Sequence, residues 1–544
     1  MATLGRALLL ASVWLSPPAL LGLMHALLLD GTRGVFGPVA LGGGAALAAV
    51  ALARPWTRLT DASGATLVEL VRARWPAAGS AAWLAVPGVA VSLLFVWAQL
   101  AAMCEIARAA GWSAPGVAAA LVLVLGLAAW RREAGSWLAT LAGVVAAIGF
   151  GVSLTAVMAV TDPVWPRVFR EVMSRGRAVF APDGAWVDEG RPVRGPGALL
   201  VLRPTEEQQV TFLGSGRVFI DLWEGTSSSP EVRPGVEVSL RPGDRLVIPN
   251  GFAVRFQGGR SVPGAPATGP AWLDPPGPRA DGRALAGLGL TLLAGSLGLA
   301  PAHAVLPTRG AARRTPGSSA ALFGAGLTVL GALGVILWGL YAVWLTPEIY
   351  TGGVLPIEAF ELPARARHLG PAAYRVGVLP VLALGAGAIA AAWGALEAVP
   401  RRPAAARGTS GPLGGGAVAL VLGLSGLLAV AAPVASWSVL LVALGLAAST
   451  LAPAAVLTCW REHLSARAVV IGAGVGCFVF AGLAVLGLVA PRGLAETSWI
   501  TWLAAWPTVL ALPANAMVAW LLSSSSAPAA RGALPPDLAT LHDA

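Results

Sequence analysis

The sequence predicts an all-α polytopic membrane protein with about twelve transmembrane helices and one small inserted β-domain. Of its 544 residues, 56% are hydrophobic and only 12% are charged, whereas soluble domains carry about 25% charged residues. Apolar runs of about 20 residues, long enough to cross a bilayer, recur along the chain. One segment, 162–282, differs because it balances acidic and basic residues between glycines and prolines. This composition excludes a simple soluble enzyme and a disordered protein.

Twelve apolar runs are the predicted spans. Their approximate limits are 5–29, 35–53, 81–104, 115–130, 136–160, 284–304, 320–346, 372–396, 415–433, 436–458, 468–490 and 500–522. The first run lacks a signal-peptide cleavage pattern, so we expect it to stay as a membrane helix. Beyond the last run, residues 523–544 are rich in serine, alanine and proline, which predicts a disordered cytoplasmic tail.

The arginines predict the orientation in the membrane. The chain has a net charge of +10 and no lysine, and most of its loop arginines lie on one side of the predicted spans. The positive-inside rule places that side, with both termini, in the cytoplasm, and places 162–282 outside a bacterial inner membrane. Because the arginines are spread over short loops instead of forming one patch, nucleic-acid binding is not expected.

The segment 162–282 is predicted to be a soluble, β-rich insertion. Several short pieces alternate between apolar and polar residues, as half-buried strands do. These pieces are 198–202, 209–213, 217–223, 236–240, 244–248 and 253–256. P-G-D at 242–244 and P-N-G at 249–251 are turn signals between strands. We therefore expect a small β-sandwich or barrel.

The first span carries the strongest candidate for a binding site. Pro17 and Pro18 lack the amide hydrogens that would bond the carbonyls of Val13 and Trp14, so the helix is expected to break there. Broken helices of this kind form ion and substrate sites in secondary transporters. Trp14 and Ser16 are therefore candidate substrate contacts, and the carbonyls of Val13 and Trp14 are candidate ion ligands. A helix that is only kinked is the alternative.

The sixth span is predicted to be interrupted as well. Its small and helix-breaking residues are Thr291, Gly295, Ser296, Gly298 and Pro301. If 1–160 (spans 1–5) and 284–458 (spans 6–10) are inverted repeats, spans 1 and 6 are counterparts. The site then lies between two interrupted helices and includes Thr291 and Ser296, while 468–522 supplies two further spans. The alternative is that small residues allow close helix packing.

Gln99 is the polar candidate in the third span. An amide at bilayer depth needs partners and should face the bundle interior, where it either contacts substrate or joins helices. Glu105, near the outer end of this span, is expected to meet solvent or lipid headgroups. No Asp, Glu, Lys or Arg lies deep in any predicted span, and no catalytic or metal-binding constellation stands out. Neither an enzyme nor a metal site is expected.

Several segments of the membrane part follow a family pattern in chain order. They are 16–22 (S-P-P-A-L-L-G), 53–59, 65–70, 92–100 (S-L-L-F-V-W-A-Q-L), 288–299 (L-G-L-T-L-L-A-G-S-L-G-L), 452–460, 464–467 and 472. In this order they resemble the sodium/solute symporter family, most closely its acetate-permease-like branch. The resemblance implies a five-plus-five inverted-repeat core, alternating access, and sodium-coupled uptake of a small organic solute such as a monocarboxylate.

The eighth span departs from that family, in which this helix supplies hydroxyl oxygens to Na+. Here 382–396 reads L-A-L-G-A-G-A-I-A-A-A-W-G-A-L, without Ser or Thr. Since hard cations prefer oxygen ligands, only the backbone carbonyls of the first span remain, and sodium coupling is in doubt. A uniporter, a proton-coupled carrier and a protein that no longer transports stay open.

The insertion carries a resemblance of its own. Residues 243–254 read G-D-R-L-V-I-P-N-G-F-A-V and resemble the second cupin motif, which ends in a metal-binding histidine. Val254 occupies that position, and 162–282 contains no histidine. The resemblance therefore implies a cupin-like barrel without its metal. The alternative is any small β-domain with such turns.

The sequence thus predicts a secondary transporter that lies in the lipid bilayer and moves a small organic solute. The rival hypothesis is a non-transporting membrane sensor or scaffold. In that case the external β-domain binds a ligand or a protein partner of unknown identity.

Overall fold

The computed structural model describes most of the membrane part and short stretches of the insertion. The described residues of the membrane part are 2–53, 55, 67–75, 79–109, 112–120, 141, 143–145, 148–149, 282–303, 317–345, 381–383, 385–386, 388–389, 423–431, 435–461, 464–489 and 499–524. Those of the insertion are 185–186, 192–194, 200–202, 207–221, 227–241, 244–248, 253–256 and 261–262. Most of the predicted spans four, five and eight lies outside these residues, and so does the predicted tail after Ser524.

Apolar α-helices make up the described membrane part. They are α1 (Ala2–Trp14), α2 (Pro17–Asp30), α3 (Phe36–Ala51), α4 (Leu67–Arg74), α5 (Ala85–Ala109), α6 (Gly282–His303), α7 (Gly317–Leu345), α8 (Ser436–Trp460), α9 (Ala466–Val489), α10 (Trp499–Ala505) and α11 (Thr508–Ser524). Short 3-10 helices, Gly31–Val35 and Gly79–Leu84, precede α3 and α5.

Length and composition make this a multi-pass membrane protein. Among the described residues, six helical segments are long and apolar enough to cross a bilayer, and the bent pair α10–α11 makes a seventh. Large apolar side chains such as Leu330, Phe478 and Met517 are exposed on the outer faces of the helices. In a soluble protein this exposure would be unfavourable, whereas lipid tails accept such side chains.

The first predicted span consists of two helices, so the predicted break is confirmed. α1 ends at Trp14 and α2 begins at Pro17. The N–H of Leu15 still donates to the α1 carbonyl four residues earlier, at 2.8 Å, and the N–H of Leu20 donates to the Ser16 carbonyl at 2.9 Å. The physical reason for the break is that two successive prolines remove two amide donors at one point of the helix.

The sixth predicted span is one continuous helix, α6, so the predicted interruption is wrong. Its glycines allow close packing instead. A Cβ on Gly295 would lie 2.7 Å from the Cβ of Leu444, and a Cβ on Gly298 would overlap the Ala447 carbonyl oxygen. Pro301 lies in the last turn, where a missing N–H affects one carbonyl and does not divide the helix. The small residues therefore bring α6 against α8.

Helix α8 is the most buried of the described spans, and α6 is its main partner. Helix α6 packs against α8 and α3, and α8 also packs on α5 and α9, while α1 packs mainly against α7. Large side chains from α2, α3 and α5 are fully buried in the same core, among them Leu23, Leu41 and Phe95. The ends of α1 and α2 therefore meet the other helices inside the protein.

The last predicted span is bent. Its two helices, α10 and α11, meet at an angle of 79°. Pro507 lies at the junction and cannot donate an amide hydrogen to continue α10, while its own carbonyl accepts hydrogen bonds from the N–H groups of Leu510 and Ala511. A proline at the start of α11 thus ends one helix and begins the next.

The described strands of the insertion pair as one long hairpin rolled up on itself. They are β1 (Ala185–Trp186), β2 (Pro192–Arg194), β3 (Leu200–Leu202), β4 (Gln208–Phe212), β5 (Gly216–Arg217), β6 (Phe219–Asp221), β7 (Ser227–Ser228), β8 (Glu231–Val232), β9 (Glu237–Leu240), β10 (Arg245–Ile248), β11 (Ala253–Phe256) and β12 (Ser261–Val262). The antiparallel pairs are β1–β12, β2–β11, β3–β10, β4–β9, β5–β8 and β6–β7.

Two four-stranded sheets result from this nested pairing. Their strand orders are β3-β10-β6-β7 and β2-β11-β4-β9. Alternate positions along the strands are buried, including Val210 and Phe212 of β4 and Ile220 of β6. Double-sheet jelly rolls have this kind of strand arrangement. At the end of the cupin-like motif, Val254 pairs with Phe212 on β4.

Candidate functional site

The broken first span forms one wall of the candidate site. Pro17 and Pro18 have no N–H, so the carbonyls of Val13 and Trp14 lack the donors that a regular helix would provide. Both residues are 3% exposed, and Ser16, between the two helices, is fully buried. This break in the helix therefore lies inside protein, which is where a membrane protein tolerates backbone without helical hydrogen bonds.

A hydrogen bond joins this break to α6. The indole Nε1 of Trp14 donates to the backbone carbonyl oxygen of Ser296 at 3.1 Å. Ser296 also lies against α3, because a Cβ on Gly44 would be 2.8 Å from the Cβ of Ser296. The structure thus brings together two candidate residues that are 282 positions apart in the chain.

Four candidate side chains are buried polar groups without a hydrogen-bond partner among the described residues. These atoms are Ser16 Oγ, both amide atoms of Gln99, Thr291 Oγ1 and Ser296 Oγ. None of the four residues is more than 3% exposed. An unsatisfied buried polar group costs about 1–3 kcal/mol, and nearly all such groups in proteins have partners. A polar ligand or ordered water would relieve this cost at each position.

Gln99 is buried on α5, one turn from a residue that lies near the break. Met103 follows it by four residues, so the two side chains share one helical face. A Cβ on Gly385 would overlap Met103 Cε and lie 3.0 Å from Pro17 Cγ. Met103 and Pro17, in the first turn of α2, therefore both lie beside Gly385, and Gln99 is one turn before Met103 on α5.

Thr291 and Ser296 lie on different sides of α6. Five positions along a helix correspond to a rotation of about 140°. Gly295, one turn after Thr291, contacts Leu444 of α8, whereas Ser296 contacts α3 and Trp14. Thr291 therefore belongs to the side of α6 that packs on α8.

Glu105 has a role that the sequence did not predict. Its carboxylate accepts hydrogen bonds from the N–H of Ser436 at 2.9 Å and from the Ser436 hydroxyl at 2.8 Å. Ser436 begins α8, so Glu105 satisfies a first-turn amide and places negative charge at the positive end of that helix. Solvent or headgroups were expected here. A serine at the start of an apolar run was the signal that could have pointed to this contact.

Arg74 binds the opposite end of α8. Its side chain is buried, and its two terminal nitrogens donate to the carbonyl oxygens of Thr458 and Arg461. Cationic side chains stabilise helix C-termini because the last carbonyls lack intrahelical donors. Trp460 Nε1 donates to the Ala51 carbonyl at the end of α3. The two ends of α8 are therefore held by α5 on one side and by α3 and α4 on the other.

Asn515 is a further buried amide that the sequence did not single out. Pro453 lies inside α8 and cannot bond the Ser449 carbonyl four residues earlier. The Nδ2 of Asn515 donates to that carbonyl at 2.8 Å and to the Thr450 carbonyl at 3.2 Å. Asn515 thus satisfies backbone that the proline left unpaired. From the sequence, Pro453 alone predicts that the Ser449 carbonyl lacks its helical donor. The sequence does not predict that Asn515 of α11 supplies the donor instead.

No metal-binding constellation occurs in the part of the chain that the structure describes, where no three His, Cys, Asp or Glu side chains cluster. The three cysteines, Cys104, Cys459 and Cys477, are free thiols.

Comparison with known proteins shows the fold. No protein-family model and no curated protein matches the chain. A solved Na+-coupled sialic acid symporter, in a substrate-bound outward-open state, is similar over 97% of this chain and 90% of its own, with a TM-score of 0.55 and 12% identity. A nucleobase-cation-symport-1 family transporter, closed around bromovinylhydantoin, is similar over 95% and 93%, with a TM-score of 0.44 and 14% identity.

The class of protein follows from these observations. The chain is a multi-pass membrane protein that has the fold of a sodium-coupled symporter. At 12% identity the likeness establishes the architecture and leaves the solute and the coupling ion to the residues of this chain.

Proposed function

We propose that the protein is a secondary transporter of the sodium/solute symporter type, which moves a small organic solute such as a monocarboxylate by alternating access. The observation that carries this proposal is the set of buried polar atoms on Ser16, Gln99, Thr291 and Ser296 that have no hydrogen-bond partner within the described part of the chain. Ser16 lies at the break in the first span, Ser296 lies beside it, and Gln99 is one turn from a residue near it. A solute with hydrogen-bonding groups would supply the missing partners.

The proposed architecture is the twelve-span one predicted from the sequence, with spans 1–5 and 6–10 as inverted repeats. The broken first span supports it, since discontinuous helices form the central site of such carriers. Helix α6 is continuous, and its small residues allow it to pack closely on α8. The cytoplasmic termini and the external position of 162–282 are parts of this proposal that rest on the positive-inside rule.

Uptake into proteoliposomes tests the proposal. The purified full-length protein would be tested with labelled acetate, pyruvate and other small solutes, under a Na+ gradient, a proton gradient and no gradient. Protein-dependent uptake of at least one solute is expected. A protein that unfolds cooperatively, and is therefore folded, but transports none of the solutes would contradict it.

Gln99→Ala is the informative variant in that assay. We expect slower uptake, because the substitution removes the amide proposed to bind the solute, while the protein stays folded. Gln209→Ala is the matched control, since it removes the same chemical group from an exposed position in β4 of the insertion. Unchanged transport kinetics for Gln99→Ala would remove Gln99 from the proposed site.

A membrane sensor or scaffold is the second candidate function. The nested strand pairing of the insertion favours it, because jelly rolls are common ligand-binding domains. On this hypothesis, folded protein transports nothing, and a ligand added to the external side raises its unfolding temperature. Replacing 185–262 with a short Gly/Ser linker would abolish that ligand response on the sensor hypothesis and would leave uptake intact on the transporter hypothesis.

A further inference from the structure

A sodium site needs several oxygen ligands, and the oxygen atoms beside the break in the first span can be compared with that requirement. Hard cations are held by oxygen atoms, about six for Mg²⁺ and six to eight for Ca²⁺. Among the described residues beside the break in the first span, the oxygen atoms without a hydrogen-bond partner are the Ser16 hydroxyl, the Ser296 hydroxyl of α6 and the Gln99 amide oxygen of α5. Pro17 and Pro18 also leave the carbonyls of Val13 and Trp14 without their helical donors. These oxygens belong to the first, third and sixth spans, so the eighth span would have to supply the ligands on its own side of a cation.

The eighth span presents an apolar wall. Gly385, from the eighth predicted span, lies against Pro17 and Met103, and all three are buried. The methyl end of the Met103 side chain occupies the space that a side chain at position 385 would fill. A thioether is a soft ligand that favours soft metals over hard cations. The surface opposite Pro17 is therefore closed by carbon and sulfur.

A rotation of the eighth span would not change this chemistry. From position 376 to position 396, no residue carries an oxygen atom in its side chain. A different face of this helix would bring further alanine, glycine, leucine or valine side chains towards the break. The lack of side-chain oxygens is thus a property of the whole span.

Charge leads to the same conclusion. No Asp or Glu occurs within the limits of the twelve predicted spans. Glu105, just beyond the third, has its two carboxylate oxygens on the Ser436 N–H and hydroxyl. A buried cation without an opposite charge is costly, and in this chain no carboxylate inside a span could offset that cost.

We propose that this protein neither binds nor requires sodium, because a Pro17–Met103–Gly385 contact closes the position where the first and eighth spans face each other. The part of this inference that concerns uptake rests on the proposed transport function, whereas the part that concerns ion binding does not. A sodium gradient then drives no accumulation of the solute.

Binding of ²²Na+ tests the ion part on its own. The purified full-length protein would be immobilised on scintillation beads and titrated with unlabelled NaCl or, as the control salt, choline chloride, with a known sodium-coupled symporter measured in parallel. Bound counts that NaCl displaces no better than choline chloride are the expected result. Saturable binding that only NaCl displaces, in folded wild-type protein, would overturn the inference.

Met103→Leu is the matched variant for the apolar contact. Leucine conserves volume and apolar character, so we expect the same unfolding temperature and the same absence of specific ²²Na+ binding as in the wild type. If Met103 instead moved aside to admit a cation, the wild type would bind Na+ and the branched leucine would weaken that binding. That difference between the two proteins would contradict the proposal.

Uptake in different salts tests the transport part. Proteoliposomes with an inward gradient of NaCl, KCl or choline chloride are expected to take up solute at equal initial rates and to the same final level. Accumulation above that level with NaCl alone would overturn the inference. Absence of uptake in every salt would contradict the proposed transport function and leave the ²²Na+ result to decide on ion binding.

Discussion

At the scale of single residues, two buried amides differ in what surrounds them. Gln99 on α5 has no hydrogen-bond partner for either amide atom among the described residues, whereas Asn515 on α11 donates to two backbone carbonyls. The residue types are similar and both side chains are fully buried. The structure therefore assigns them different roles, Asn515 in stability and Gln99 in the proposed solute contact.

Gln99→Leu is expected to raise the thermal unfolding midpoint of the purified, solute-free protein. The substitution removes two unsatisfied polar atoms at similar volume, and each unsatisfied buried group costs about 1–3 kcal/mol. Thermal unfolding of wild type and variant in the same detergent measures the effect. A lower midpoint would mean that the solute-free fold needs this amide.

At the scale of elements, the proline inside α8 depends on a neighbouring helix. Pro453 leaves the Ser449 carbonyl without an intrahelical donor, and Asn515 of α11 supplies one. Asn515→Leu is therefore expected to destabilise the protein by about 1–3 kcal/mol, the cost of a lost partner for a buried group. Urea or thermal unfolding would measure the loss of stability. Gln99→Leu is the matched amide-to-leucine control, because it is expected to raise the stability and not to lower it.

A double-mutant cycle shows whether the proline is the cause. In a Pro453→Ala background, the restored N–H can bond the Ser449 carbonyl, so Asn515→Leu should cost less than it does alone. Groups that share a partner are expected to be non-additive. Equal costs in the two backgrounds would show that Asn515 stabilises the protein by another route.

The contact between α6 and α8 depends on a glycine. A Cβ on Gly298 would overlap the Ala447 carbonyl oxygen, which is backbone and cannot rotate away. Gly298→Ala is expected to cost about 1–3 kcal/mol, as overpacking does. Gly326 of α7 has open space around its missing Cβ, so Gly326→Ala should be neutral or stabilising by up to about 1 kcal/mol through helix propensity. Equal unfolding temperatures for the two variants would contradict this packing.

At the scale of the whole molecule, orientation is the property with the widest consequence, since it decides which side the insertion faces. With the three native cysteines replaced, Ser228→Cys in the exposed part of the insertion should react with a membrane-impermeant maleimide in right-side-out vesicles. Arg313→Cys, in the loop after the sixth predicted span, should react only after the vesicles are opened. The reverse pattern would invert the proposed topology.

Much of the membrane part could be predicted because its signals are local. The break at Ser16 follows from Pro17 and Pro18 alone, since a missing N–H and a ring clash act within four residues. The interruption predicted for α6 was wrong because glycine and serine have two uses, breaking a helix or letting another helix approach. Which use applies at Gly298 depends on Ala447, which lies far away in the chain.

The sequence by itself determined that this chain spans a membrane several times, where its first span breaks, and that its eighth span offers no side-chain oxygen. Each of these depends on the length, hydropathy or covalent chemistry of consecutive residues. Only the tertiary structure decided that Gln99 has no partner among the residues described, that Glu105 and Arg74 hold the two ends of α8, and that Met103 fills the space beside Gly385. Hydrogen bonds and close contacts between distant residues depend on which helix faces meet, and that is fixed by the packing of the whole bundle.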